Sequence, residues 1–296
     1  MNSGRVDLHI HSLKSSDGDF EPLDLLRKAR ENGFRAIAIA DHDTVDAYPE
    51  AIGQSLEVGV ELIPSVELTT VFRDREFHLL LPFVRYDSPA VKAVLGRIGA
   101  ARTEEAKDRV ARLRELGFDI GWDEIVRNSG GALPLGVTIA RILIDKCRRE
   151  KNPALDKYAQ GENRKFGPYA FYRDYFMEGR PAHVPRRSMS LLDILPLALA
   201  DGAVPVLAHP GADFAHADKA DLTELKAAGL AGLEVYSSYH NRELSRAYLA
   251  LAEELDLVPT AGSDFHGKIK PHVAFGSVRQ GDYGMVEALR GRRRLP

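Results

Sequence analysis

Gly262-Ser263-Asp264-Phe265-His266-Gly267 lies near one end of the sequence, and Asp7-Leu8-His9-Ile10-His11 answers it from the other. Each stretch holds two metal-competent side chains at i and i+2. Each follows or lies within a short apolar run that reads as a strand, Leu257–Ala261 in one case and Val6–Leu8 in the other. On an extended chain, residues two apart point to the same side at roughly 6.5–7 Å, so each pair can converge on a cation. Imidazole together with carboxylate suits zinc, manganese or iron. An H-x-H pair alone also fits two hydrogen-bonded core histidines, so the metal reading needs further ligands at corresponding places.

Such places recur. Arg35–Ala40 is mostly apolar, as a buried parallel strand is, and it stops at Asp41-His42-Asp43-Thr44. Val60–Val66 is another strand and ends at Glu67. Leu68–Phe72 and Phe77–Val84 read as a strand pair around Arg73-Asp74-Arg75, with His78 in the second. Further on, Ala203–Ala208 ends at His209-Pro210, Leu233–Tyr236 ends near His240, and Leu257–Ala261 ends at Asp264 and His266. Helices fall between these runs. Pro22 opens one, and Asp43 or Thr44 caps a second that runs to about Val58. Leu191–Ala200, Asp221–Ala228, Arg242–Leu255 and Tyr283–Arg290 follow. This βα alternation predicts an α/β fold with a parallel sheet, closed or nearly closed as a barrel. Active sites of such barrels lie at the carboxyl ends of the strands. His9, His11, Asp41, His42, Glu67, His209, Asp264 and His266 all fall there.

Residues 89–189 break the pattern. They are helical and charged, and they read as an insertion into a discontinuous barrel of residues 1–88 and 190–296. Val91–Leu116, Trp122–Arg127, Val137–Arg149 and Tyr169–Met177 are its expected helices. In the first, Arg102, Lys107, Arg109 and Arg112 mix with Glu104, Glu105 and Asp108, which reads as a solvated face. The 296 residues are 44% hydrophobic and 28% charged, enough for a sizeable core. A net charge of -3 argues against a broad surface for duplex nucleic acid. The single Cys147 fits a reducing compartment. No apolar run approaches the length of a membrane span, and Met1–Arg5 lacks a signal core. A cytoplasmic protein is expected.

Asp7-x-His9-x-His11, the Ser16-Asp17-Gly18 turn, Asp41-His42-Asp43, Glu67, His78, Ala208-His209-Pro210 and Gly262-Ser263-Asp264-x-His266 together resemble the polymerase-and-histidinol-phosphatase (PHP) family. The resemblance covers about residues 5–85 and 195–270. It implies a distorted (β/α)7 PHP barrel with a helical insertion, or cap, and two or three divalent metal ions (Mn2+, Fe2+ or Zn2+). By position it assigns His9, His11, Glu67 and Asp264 to a first metal. Glu67, His78 and His209 go to a second, and Asp17, His42 and His266 to a third. Asp7 and Asp43 are expected to orient the imidazoles, with the helix cap as the other reading of Asp43. A carboxylate shared by two cations suits phosphoester hydrolysis by activated water, without a Ser or Cys nucleophile.

The insertion resembles the PHP subgroup that acts on nucleotide 3′,5′-bisphosphates or trims RNA from its 5′ end. Tyr172–Val184 and Glu234–His240 carry this likeness, which makes Arg180 and His240 the expected phosphate contacts. One stretch departs. Where the subgroup has Arg-Thr-His before Ala-Arg, this chain has Gly136-Val137-Thr138 before Ile139-Ala140-Arg141. Arg164, Lys165, Arg173 and Arg180 interleave with Phe166, Tyr169, Phe171 and Tyr172. They read either as phosphate and base contacts or as a solvated loop beside a core-packing helix. The expected partner is a small phosphorylated substrate, a nucleotide or short RNA. The alternatives are a non-nucleotide phosphate such as histidinol phosphate or a cyclic phosphate, an amidohydrolase-type hydrolase, and a non-catalytic module.

Overall fold

The structure is a computed structural model that describes residues 4–129, 133–150, 155–160 and 166–294. Arg164 and Lys165 lie outside the described residues. Strand β2 (Phe34–Ile39) is apolar on both faces and pairs in parallel with β1 (Arg5–Ile10) and β3 (Glu61–Pro64). Its period-two alternation sends Ala36 and Ala38 into one apolar layer with Val6, Leu8, Val206 and Val258. Ile37 and Ile39 enter a second layer, under the helices α1 (Pro22–Glu31) and α2 (Tyr48–Val58). Small alanines on the first face let the strands and their buried neighbours approach closely.

A second sheet has the order β4 (Glu67–Phe72), β5 (Arg75–Leu80), β6 (Val206–Leu207), β7 (Gly232–Ser237) and β8 (Val258–Gly262). Here β5 runs antiparallel to both of its neighbours. The mixed α/β class therefore holds, whereas one closed (β/α)7 sheet is not found among the described residues. The strands form a sheet of three and a sheet of five, joined by isolated bridges between Ile10 and Phe265 and between His42 and Glu67. His11 N donates to Phe265 O at 2.9 Å and Asp264 N to His9 O at 2.8 Å. At the other seam Glu67 N donates to Asp41 O at 3.1 Å and Asp43 N to Glu67 O at 2.9 Å. These four bonds bring the predicted ligand segments together.

The expected Val60–Val66 strand is shorter, and Glu67 opens β4 instead of closing β3. Pro64 has no amide hydrogen to continue a ladder. The next amide, Ser65 N, donates to the buried Tyr48 hydroxyl at 2.6 Å, and that hydroxyl in turn donates to Ile39 O. Helix α2 begins at Tyr48 with Ala47 as its N-cap, so neither Asp43 nor Thr44 caps it.

The insertion contributes α3 (Pro89–Glu115), α4 (Trp122–Asn128), α5 (Gly136–Glu150), α6 (Asp156–Ala159) and α7 (Gly167–Tyr175). An apolar cluster confined to residues 106–182 packs Val110, Leu113, Ile139, Leu143 and Phe171 together. Helix α3 joins this cluster to the rest, because Val91 and Ile98 near its start belong to the main core. The chain returns through α8 (Leu191–Ala200), α9 (Lys219–Ala228), α10 (Arg242–Glu254) and α11 (Tyr283–Arg292). Among the described residues no helix is long and apolar enough to cross a membrane.

Tyr48→Phe removes the hydroxyl that serves both Ile39 O and Ser65 N. We expect a loss of about 1–3 kcal/mol of stability, since two buried backbone groups lose a partner. Denaturant unfolding checks this; an unchanged midpoint would show that the hydroxyl does not hold these strand ends.

Candidate metal centre

Glu67 is fully buried, and its two carboxylate oxygens face five imidazoles. Oε2 lies 3.2 Å from His9 Nε2, 3.2 Å from His11 Nε2 and 3.1 Å from His42 Nδ1. Oε1 lies 2.9 Å from His78 Nδ1 and 3.0 Å from His209 Nε2. Asp264 Oδ1 approaches the first group from the other side, 3.0 Å from His11 Nε2 and 3.4 Å from His9 Nε2. Asp17 Oδ2 lies 3.2 Å from His266 Nε2 and 3.7 Å from His42 Nε2.

Much of this crowding has no hydrogen-bond geometry. Glu67 Oε2, Asp264 Oδ1 and His42 Nδ1 are buried and lack a hydrogen-bond partner among the described residues, although each is within 3.4 Å of a group of opposite character. His9 Nε2 and His11 Nε2 face each other at 3.2 Å. Two neutral imidazoles so placed direct lone pairs at one point, which a cation relieves. Among the described residues, three sets have potential ligand atoms that all lie within 4.8 Å of one another: His9, His11, Glu67 and Asp264; His42, Glu67 and His78; and His11, Asp17, His42 and His266. Each mixes imidazole with carboxylate, the donor set of Mn, Fe and Zn sites.

Electrostatics agree. Burial alone would disfavour charge on Glu67, but the surrounding histidines hold its carboxyl well below the usual range. Burial also opposes charge on His11, yet the carboxylates of Asp264 and Glu67 beside it raise it to about 9. The same balance, with Glu67 and Glu76 as partners, raises His78 to about 10. His42 goes the other way, to about 3, because burial outweighs its carboxylate neighbours. Positive charge is thus favoured at the centre of this cluster.

Backbone strain supports the placement. Asp43, His209 and Asp264 have φ of 55°, 26° and 54°. Non-glycine residues in this region cost roughly 1–3 kcal/mol each and persist where the surroundings dictate them. Gly262 is needed for close approach. A Cβ there would overlap both His9 Cβ and Glu234 Oε1.

The expected orienting residues bond backbone amides among the described residues. Asp7 Oδ1 accepts from Ser263 N at 2.9 Å and His9 N at 3.3 Å, so it ties together the backbones of the two ligand segments. Burial raises Asp7 to about 6. Asp43 Oδ1 accepts from Thr69 N at 2.8 Å, and its Oδ2 faces Arg102. Asp41 holds the exit of β1 by accepting from Ser12 N and Ser12 Oγ, both at 2.6 Å. Two residues absent from the sequence reading of the site act here. Glu234 Oε1 pairs with His9 Nδ1 at 3.0 Å, and its Oε2 accepts from His209 N at 2.8 Å. Lys270 Nζ donates to Asp264 Oδ2 and, at 2.8 Å, to Tyr239 Oη.

The two expected phosphate contacts are elsewhere. Arg180 is exposed and does not line the cavity over the cluster. His240 has both ring nitrogens engaged by backbone: Nδ1 donates to Val235 O at 2.9 Å and Nε2 accepts from Gly211 N at 3.0 Å. It stacks on Tyr248 and braces the loop after His209. The cavity has about 140 Å³ of water-accessible space, between the ligand residues and the insertion residues Leu135–Val137, Tyr169 and Tyr172. Arg102 and Arg109 line it too, so the solvated-face reading fails for these two arginines. Phe171 packs in the insertion core, and Arg173 is exposed.

A family model described as "PHP domain" matches residues 7–160. The chain belongs to the PHP family. Among curated relatives, the chain is similar to a 3′,5′-nucleoside bisphosphate phosphatase of Chromobacterium violaceum, at 25% identity over 88% of this chain and 87% of that one. It is similar to a phosphoribosyl 1,2-cyclic phosphate 1,2-diphosphodiesterase of Eggerthella lenta, at 29% over 91% and 97%. A 5′-3′ exoribonuclease of Haemophilus influenzae is 27% identical over 88% and 90%. Among solved structures, a protein of Bifidobacterium adolescentis assigned as a metal-dependent phosphoesterase superposes with a TM-score of 0.83 at 28% identity, covering 97% and 96%. With these ligand clusters, the chain is a PHP metal-dependent phosphoesterase, a hydrolase of phosphate esters.

Glu234→Gln keeps the shape of this buried support but removes its charge. We expect metal affinity to fall about ten- to a hundredfold, measured by competition with a chromogenic chelator. Unchanged affinity would mean that Glu234 does not fix His9.

Proposed function

We propose that the protein hydrolyses a phosphomonoester of a small nucleotide or of an RNA 5′ end, within a reducing, cytoplasmic compartment. The observation that carries the reading is Glu67, whose two oxygens face different groups of imidazoles. In this reading His9, His11, Glu67 and Asp264 hold one divalent cation, Glu67, His78 and His209 a second, and Asp17, His42 and His266 a third. When bound, Mn2+, Fe2+ or Zn2+ ions supply an activated water and charge for the phosphoryl oxygens.

The chain's own residues supply the rest. In this reading the attacking oxygen comes from water activated at the cluster, and no side-chain nucleophile is needed. Glu234 fixes His9 through Nδ1, which leaves Nε2 directed at the centre. Lys270 spends its charge on Asp264 Oδ2 and leaves Oδ1 facing His9 and His11. The insertion covers one side of the cavity. It is held against the ligand loop by Ser16 Oγ and Thr138 Oγ1, 3.0 Å apart. Tyr169 and Tyr172 give the cavity aromatic faces suited to a base. The resemblance in length and sequence to the bisphosphate phosphatase and the exoribonuclease supports the nucleotide substrate. The similarity to the cyclic phosphate diesterase favours a second reading, a cyclic phosphodiester.

The test is phosphate release with Mn2+ from 3′,5′-bisphosphoadenosine, AMP, a 5′-phosphorylated RNA, a cyclic phosphate and histidinol phosphate. Release from the nucleotides supports the proposal. Turnover of the cyclic or histidinol phosphate alone moves the substrate class, and activity on amides or lactones alone would favour the amidohydrolase alternative. His9→Ala and Asp264→Ala should each lower both bound metal and turnover, by at least a hundredfold for turnover. A fully active variant of either would refute the ligand assignment.

A further inference from the structure

Two arginines of α3 reach the metal cavity from the insertion. The side chains of Arg102 and Arg109 are 10% and 5% exposed, whereas Lys107 and Arg112 on the same helix are 45% and 57% exposed. A buried guanidinium is costly unless its charge and its donors are met. Among the described residues each has one carboxylate at ion-pairing distance, although Glu76 and Glu105 also act on Arg102 from further away. Arg102 Nε lies 3.4 Å from Asp43 Oδ2, and Arg109 Nη2 lies 2.5 Å from Glu105 Oε1. The Nε of both arginines has no hydrogen-bond partner among the described residues. A guanidinium offers five N–H donors, so a single carboxylate leaves most of each fork unspent.

The forks are also held in place. The Arg109 guanidinium carbon lies 5.8 Å from the Tyr172 ring centre and 5.4 Å from that of Phe176. Gly136 keeps the approach open. A Cβ there would stand 2.6 Å from Tyr172 Cε2 and 3.3 Å from Arg109 Nη1. Both arginines share the cavity with His42, His78, His209 and Asp264.

We infer that Arg102 and Arg109 form a second anion subsite, which takes a phosphate of the substrate other than the one that reacts. The inference rests on the phosphoesterase reading and narrows it to substrates that carry two phosphates. A planar fork matches two phosphoryl oxygens with parallel N–H bonds, as a lysine does not. The subsite binds and orients; it makes and breaks no bond.

The test compares 3′,5′-bisphosphoadenosine with AMP in two assays on the full chain. One is turnover with Mn2+; the other is calorimetric binding after chelation of metal. Wild type should prefer the bisphosphate in both assays. Arg109→Gln should cut the bisphosphate-to-AMP ratio of kcat/KM by roughly ten- to a hundredfold, and the binding ratio with it. Arg109→Lys, which keeps the charge but not the fork, should fall in between and guards against misfolding of the first variant. A ratio within twofold of wild type in a folded variant overturns the subsite, as does a wild type without preference in either assay. If wild type binds the bisphosphate through Arg109 but turns over neither nucleotide, the subsite stands and the nucleotide-phosphomonoesterase reading fails. Turnover of both at equal rates has the opposite meaning.

Discussion

A single carboxylate sets the terms for the rest of this molecule. Glu67 has no exposure to solvent and stands among five histidines. Such a charge cannot be buried alone, since desolvation would cost far more than a domain's net stability. Its compensation has to come from cations, and the fold is arranged to deliver cation ligands from both sequence ends. Two pairs of backbone bonds stitch the three-stranded and five-stranded sheets together at the ligand segments. Around that seam, Asp7, Glu234 and Lys270 fix backbones and imidazoles, and three residues accept left-handed backbone to aim their side chains.

The alternation of strands and helices was legible because it rests on local physics. The Ala-Ile-Ala-Ile-Ala run around β2 divides between two apolar layers by period two. The clustered His and Asp side chains were legible because they stand out at strand ends against apolar runs. Glu67 was assigned to the wrong strand, because both flanking stretches are apolar and the break is made by Pro64 and by the Tyr48 hydroxyl from a distant helix. That long-range bond leaves no mark in the local pattern. The closed barrel was an overreach of the same kind, since one reversed strand, β5, changes the pairing.

Glu234 left a signal that went unread: a lone carboxylate inside the apolar run Leu233-Glu234-Val235 needs a buried partner. Arg102 and Arg109 left one as well. They share a helix face with Ile98, Glu105, Ala106 and Leu113, all buried, at the three- and four-residue spacing of an inward stripe. The even mix of charges around them masked it. Arg180 and His240 lie apart from the cavity for another reason. The likeness of the stretches that contain them says nothing about side-chain direction, and a turn exposes one while backbone groups claim both nitrogens of the other. The insertion is therefore part of the site through α3, the start of α5 and α7, and not through the exit of the cap.

The most direct measurement is a crystal structure of the protein with Mn2+, using anomalous scattering to locate the ions. The account requires anomalous peaks on both sides of the Glu67 carboxylate, each at about 2.0–2.3 Å from one of its oxygens. One should be shared with His9, His11 and Asp264, and the other with His78 and His209. Density without such peaks, and Glu67 merely hydrogen-bonded to protonated imidazoles, would contradict it.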